Sequence, residues 1–235
     1  MPTIGIALKY SNLEDGRDIL YLGEKVRRSF QNMGAFILPI VPVQDVDYNS
    51  TKYDEFKELT EEEKKLIEKY LDMVDGVILP GGFKVAPYDQ YLLERCIDRD
   101  IPTLGICLGM QLLSNYKRKF LVELIESDIN HNNKDDDTTL AHMIKIKKDT
   151  LLYKIIGKEE IMVNSYHKRH VTENHIYQTV AYSEDGIIEA IEYPSDTFNI
   201  GVQWHPERMN DFDEPSKKLL NYFVKECINV EKMKV

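Results

Sequence analysis

Along the first hundred residues, short continuous apolar runs alternate with segments whose apolar positions recur every three to four residues. Residues 3–8 (TIGIAL), 35–41 (AFILPIV), 76–80 (GVILP) and 102–106 (PTLGI) have the length and the Ile, Val and Leu content of buried strands. Between them, residues 20–34 read as an amphipathic helix stopped at Gly34. Thr60 and Glu63 have the spacing of a capping box and open a helix that runs to about Met73. A third helix covers YDQYLLERCIDRD (88–100). Strand–helix alternation of this kind predicts an α/β fold with a doubly wound, mostly parallel open sheet of flavodoxin-like type. In such sheets ligands collect at the carboxyl ends of the strands. LPGG (79–82) and GICLG (105–109) both fall at such ends.

The second half changes character. Residues 127–139 (SDINHNNKDDDTT) are polar and read as an exposed loop; the Asp135–Asp137 run could be taken for a metal site, but its composition fits a solvated loop. Five strand-like runs follow, at 142–147, 160–167, 175–183, 186–193 and 198–204, the later ones separated by turn signals. These predict added antiparallel strands. A helix at 215–230 closes the pattern. With no internal repeat and no linker composition, residues 1–235 are expected to form one domain.

Composition narrows the chemistry. Of 235 residues, 43% are hydrophobic and 30% charged, which suits a globular chain with a substantial core. A formal net charge of −10 and the lack of an arginine- or lysine-dense face argue against nucleic acid as a partner. No basic leader with an apolar core and no run of transmembrane length occurs, so no membrane partner is expected. Three scattered cysteines (Cys96, Cys107 and Cys227) fit reduced thiols in the cytoplasm better than a disulfide framework. CxxC and HExxH spacings are absent, so no metal and no cofactor is expected.

Cys107 stands between Gly105 and Gly109, after an apolar run and before a helical one, LGMQLLSNY. A residue at that junction is forced into a tight strand-to-helix turn, the geometry of a nucleophile elbow, and its sulfur lies at a helix N-terminus that favours negative charge. Taken alone, the motif is equally compatible with a small apolar residue in a packed core. A nucleophilic thiol also needs a base and an orienting group. Of the six histidines, His131, His142, His170 and His175 lie in polar or charged stretches and read as surface residues. His205 instead follows the run NIGVQW and opens WHPE, with Glu207 two residues on to accept from the far ring nitrogen. Cys107, His205 and Glu207 thus form a candidate nucleophile, base and orienting carboxylate.

GICLGMQ together with GVQWHPE resembles the class I glutamine amidotransferase superfamily, whose nucleophile and HPE motifs occur in this order. The opening TIGIALKYSN, the segment IMVNSYHKRHV and the runs GIIEAIEY and GVQWHPE look like its γ-glutamyl hydrolase branch (peptidase C26-like) over about residues 3–225. The resemblance implies attack by Cys107 on a γ-glutamyl amide, proton transfer by His205 and orientation by Glu207. It places the oxyanion on the backbone N–H groups of Gly81 and Leu108, although the LPGG turn could equally be an ordinary strand end. It assigns substrate contacts to Gln111 and to Ser165, Tyr166 and His167, the last three largely through backbone atoms; His167 could equally be a surface residue. Glu189 either faces the site or simply projects from its strand, and Asn164 could equally be a turn residue.

Two departures bear on substrate. Hydrolases of this branch usually carry arginine directly after the nucleophile, where this chain has Leu108, as glutamine-using amidotransferases more often do. The stretch between LPGG and the nucleophile, which helps shape the leaving-amine pocket, is also short. The basic run Lys117–Arg118–Lys119 could meet an anionic leaving group, or cap a helix and be solvated. The expected function is therefore a hydrolase cleaving a small γ-glutamyl substrate through a thioester. The alternatives are a glutaminase subunit acting on glutamine with a separate synthetase partner, and a non-catalytic regulatory relative, against which the three intact site residues argue.

Overall fold

The computed structural model describes residues 1–44, 57–133 and 138–233. Its main sheet has nine strands among those residues, in the order β4-β1-β5-β6-β13-β12-β11-β8-β9. The parallel half consists of β1 (Thr3–Ala7), β4 (Phe36–Ile40), β5 (Gly76–Leu79), β6 (Thr103–Ile106) and β13 (Asn199–Val202). The antiparallel half adds β8 (His142–Ile146), β9 (Glu160–Val163), β11 (Gln178–Ser183) and β12 (Ile188–Glu192). Both halves of the predicted architecture are present, joined where β13 pairs parallel with β6 and antiparallel with β12.

Period-two alternation in the central strands feeds two apolar layers, one on each face. Ile78 and Leu104 face one layer with Phe30 and Phe223; these come from α1 (Glu24–Asn32) and α6 (Glu214–Met233) and meet edge-on, their ring centroids 5.9 Å apart. Val77 and Leu79 face the other layer, against α2 (Glu61–Asp72), α3 (Pro87–Asp98) and α4 (Leu108–Leu113). The capping box at α2 forms as the spacing predicts, with Thr60 Oγ1 accepting from Glu63 N and Glu63 accepting from Thr60 N.

Several local expectations are revised. The helix expected over 20–34 begins only at Glu24; residues 18–21 instead form β3 (Asp18–Tyr21), paired with β2 (Lys9–Asn12) in a hairpin. Gly23, in extended conformation, separates the two. β4 is an edge strand with Phe36 exposed, so its apolar run is only partly buried, with Ala35 and Ile40 in the core. The short α5 (Leu151–Ile156) gives too little periodicity to be legible in the sequence; Thr150 caps its start and left-handed Gly157 ends it. A two-stranded pair of β7 (Glu123–Leu124) and β10 (Arg169–His170) also forms. The Asp135–Asp137 run lies outside the described residues. None of the described helices is long and apolar enough to cross a membrane.

Candidate active site

β5, β6 and β13 lie side by side in parallel, with Leu79 opposite Gly105 and Ile106 opposite Val202. Their carboxyl ends therefore deliver LPGG, Cys107 and WHPE to one edge of the sheet. Cys107 has φ 53° and ψ −102°, a backbone conformation an L-residue adopts only under constraint, at roughly 1–3 kcal/mol. Its N–H donates to Val202 O at 2.8 Å and its carbonyl accepts from Gln111 N at 3.1 Å, so the residue is tied to β13 on one side and to α4 on the other. The flanking glycines are sterically required. A Cβ on Gly109 would lie 1.9 Å from Leu79 O, and one on Gly105 2.6 Å from the Gly109 backbone. The chain is bent so tightly that α4 and β6 leave no room for side chains, and Cys107 is displayed at the bend.

Behind it, His205 Nδ1 donates to Glu207 Oε1 at 2.8 Å, both side chains being almost completely buried. Asn164 holds the His205 backbone from both sides: its Oδ1 accepts from His205 N at 2.9 Å and its Nδ2 donates to His205 O at 3.1 Å. Ser29 Oγ, on α1, lies 3.0 Å from the Glu207 carbonyl oxygen. Burial alone would lower the pKa of the imidazole. The Glu207 carboxylate and the Cys107 sulfur more than offset it, raising the pKa from 6.5 to about 9. Burial would raise Glu207, yet the charge and hydrogen bond of His205 hold its carboxyl below the usual range.

Gly81 closes the arrangement. A Cβ there would lie 2.8 Å from His205 Cε1 and 3.5 Å from Cys107 Cβ, so the LPGG backbone is pressed against both groups. Leu108 N is the first helical amide of α4, a position with no acceptor inside the helix. The Leu108 side chain is buried and packs under Gly82. Gly81, Gly82, Cys107, His205 and Glu207 line a cleft of about 290 Å³ whose walls also include Lys9, Tyr21, Lys25, Phe83, Tyr166 and Arg208. Lys9 is buried and pairs with Asp89 at 2.6 Å. The other Asp89 oxygen accepts from Ala86 N at the start of α3, so one carboxylate serves both.

The remaining predicted residues are distributed differently. Tyr166 lines the cleft, with its ring 6.5 Å from that of His205 and Arg208 Cζ 5.6 Å from its centroid. Gln111 is buried, its amide nitrogen 3.1 Å from both Gln203 Oε1 and Arg169 O, and it does not line the cleft. Ser165 Oγ donates to His131 O at 2.8 Å. His167 is buried, not on the surface, does not line the cleft, and has its Nε2 3.6 Å from Glu189 Oε1. His131 and His142, expected at the surface, are also buried around Glu189. Their flanking sequence is polar, but tertiary contacts across more than forty residues enclose them, with His142 Nε2 3.1 Å from Glu189 Oε1. Lys117 pairs with Asp98 at 2.9 Å, and Arg118 and Lys119 border a separate depression, so none of the three lines the cleft. Asn164 and Glu189, which the sequence leaves undecided, take their partners from distant segments, His205 and His142.

Residues 88–207 match the family model for peptidase C26. The chain belongs to the peptidase C26 family. The matched span takes in Cys107, His205 and Glu207 together with the 164–167 segment. This C26 member is 30% identical over 210 residues to a glutamine amidotransferase-like protein of Rickettsia prowazekii, covering 62% of this chain and 74% of that one. It is 24% identical over 261 residues to the CTP synthase of Borreliella burgdorferi, covering 96% of this chain but only 44% of that protein. Among solved structures, the glutaminase domain of Trypanosoma brucei CTPS with bound acivicin superposes with a TM-score of 0.65 at 18% identity, covering 97% of this chain and 94% of that one, which establishes a shared fold. Family and relatives together make the C26 member a glutamine amidotransferase-like hydrolase.

Proposed function

We propose that this protein hydrolyses γ-glutamyl amides through a thioester on Cys107. The observation that supports this most strongly is the placement of the strained Cys107, the His205–Glu207 pair and the Gly81 backbone within van der Waals reach around one cleft floor. The Cys107 sulfur attacks the γ-carbonyl carbon. Charge that develops on the carbonyl oxygen is met by the backbone N–H groups of Gly81 and Leu108. The His205 imidazolium gives its Nε2 proton to the departing amine, and the carbon–nitrogen bond breaks to leave the γ-glutamyl thioester. Water then attacks that carbonyl, His205 takes the water's proton, and collapse returns the sulfur and releases glutamate. Glu207 holds the imidazole in register and offsets its positive charge throughout. Nucleophile, acid–base group and oxyanion donors all come from the chain itself. Tyr166 and the backbone of 165–167 contact the glutamyl end, with Gln111 supporting that wall through Arg169 O. With the side chain of His167 turned inward, only its backbone serves the substrate.

A second reading, a glutaminase delivering ammonia to a synthetase partner, is favoured by one observation. The CTP synthase relative matches nearly all of this chain with less than half of its own length, and Leu108 follows the nucleophile, as in glutamine-using enzymes. Incubating the purified chain with glutamine and a panel of γ-glutamyl amines, and measuring glutamate release beside a Cys107→Ala variant, separates the two. Turnover of a γ-glutamyl amine over glutamine supports the hydrolase. Silence on the panel, relieved for glutamine by a synthetase, supports the subunit. Undiminished activity in the variant rejects both.

A further inference from the structure

Beside the 164–167 segment lies a group of side chains that the reaction does not use. Three imidazole nitrogens converge on one carboxylate oxygen: His142 Nε2 at 3.1 Å, His131 Nδ1 at 3.3 Å and His167 Nε2 at 3.6 Å from Glu189 Oε1. All four residues are 5% exposed or less. Yet the nitrogens that His131 and His167 turn to that oxygen, Nδ1 and Nε2 respectively, make no hydrogen bond among the described residues, and neither does Glu189 Oε2. A buried polar atom without a partner is costly, and three in one contact group call for an explanation.

The tautomers sharpen the point. His167 Nδ1 lies 3.1 Å from Arg169 O, and a carbonyl only accepts, so Nδ1 carries the proton. His131 Nε2 lies 2.9 Å from Asp185 Oδ2, so its proton sits there. In the neutral rings, both nitrogens that face Glu189 therefore present lone pairs to an anionic oxygen. That arrangement repels unless an added proton or a metal ion stands among them. Asp185 and Arg169 O hold these rings as outer partners commonly hold metal-bound histidines, through the nitrogen away from the ion.

We propose that His131, His142 and Glu189, with His167 as a fourth donor, bind a divalent transition-metal ion of the zinc type. Tetrahedral zinc with bonds of about 2.0–2.1 Å sets its donors about 3.3 Å apart, and the three nitrogen–oxygen separations bracket that value. The donor atoms of His131, His142 and Glu189 all lie within 4.8 Å of one another. Imidazole and carboxylate donors suit zinc better than calcium or magnesium, which take oxygen. The ion's role is structural. It joins the loop at His131, the start of β8, β12 and the segment after β9. Ser165 Oγ and His167 N both donate to His131 O, at 2.8 and 2.7 Å, and Asn164 clamps His205. The ion thus anchors the cleft wall from behind without touching Cys107. Short-spacing motifs could not reveal it, because its donors come from four separate segments.

The test uses the full chain carrying Cys107→Ala, which removes the competing active-site thiol. After chelator treatment the protein is titrated with Co²⁺ and then Zn²⁺. One equivalent of cobalt giving the visible bands of a tetrahedral site, displaced by zinc, and a zinc-dependent rise in melting temperature are expected. Glu189→Gln and His142→Gln, added separately, are expected to weaken zinc binding by about a hundredfold or more. Absence of bands and of any zinc-dependent shift overturns the proposal, leaving protons alone to hold the network. Undiminished shifts in both variants also overturn it. Should the variants fail to fold, anomalous scattering from cobalt in crystals of the Cys107→Ala chain decides: density among His131, His142 and Glu189 supports the site, and density elsewhere rejects it.

Discussion

At the scale of single residues, the cleft is built around one residue held in a backbone conformation it does not favour. Cys107 keeps φ at 53° because β13 and α4 fix it from both sides. Cys107→Gly should therefore be more stable than Cys107→Ala by about 1 kcal/mol in urea unfolding, because glycine tolerates that angle and alanine does not. His205 supplies a second prediction. Its folded pKa, about 9, exceeds its unfolded value, so its contribution to stability is full below about pH 6.5 and is lost as pH rises through 9. Melting temperatures between pH 6.5 and 9.5 should fall more steeply for the wild type than for His205→Gln; parallel slopes would contradict the coupling. Cys107, His205 and Glu207 are legible as a candidate set because each sits in a short motif at a strand end. Asn164 and Glu189 were not, since their partners, His205 and His142, are 41 and 47 positions away.

At the scale of elements, three parallel strand ends set the geometry, and two glycines report how closely the parts approach. A Cβ on Gly109 meets the Leu79 carbonyl, part of a central strand that cannot shift, so Gly109→Ala should cost more than about 3 kcal/mol or prevent folding. A Cβ on Gly81 meets only the His205 ring edge, so Gly81→Ala should fold and instead lower kcat/KM about a hundredfold by displacing the imidazole. Far-UV circular dichroism and kinetics on the two variants distinguish these outcomes. Uninterrupted apolar runs and the Thr60–Glu63 cap made most of the sheet and α2 legible. The end of β3 reads as helix in the sequence because Leu20 and Tyr21 continue the helical period of α1, and only Gly23 marks the break. Buried polar clusters escape such reading altogether: the stretch around His131 is hydrophilic in sequence, while the fold encloses it.

At the scale of the whole molecule, a parallel half carries Cys107, the segment after β9 in the antiparallel half brings Tyr166 to the same cleft, and β13 joins the two halves beside Cys107. The match to CTP synthase takes in 96% of this chain but 44% of that protein, which suits a free-standing hydrolase and a synthetase-coupled glutaminase alike. Both readings pass through the same covalent intermediate. The most direct test is therefore mass spectrometry of enzyme quenched in acid during turnover of glutamine or an active γ-glutamyl amine. The account predicts one added glutamyl group on the peptide containing Cys107, absent from Cys107→Ala. Turnover with no adduct there, or an adduct carried by Cys96 or Cys227 instead, would contradict it.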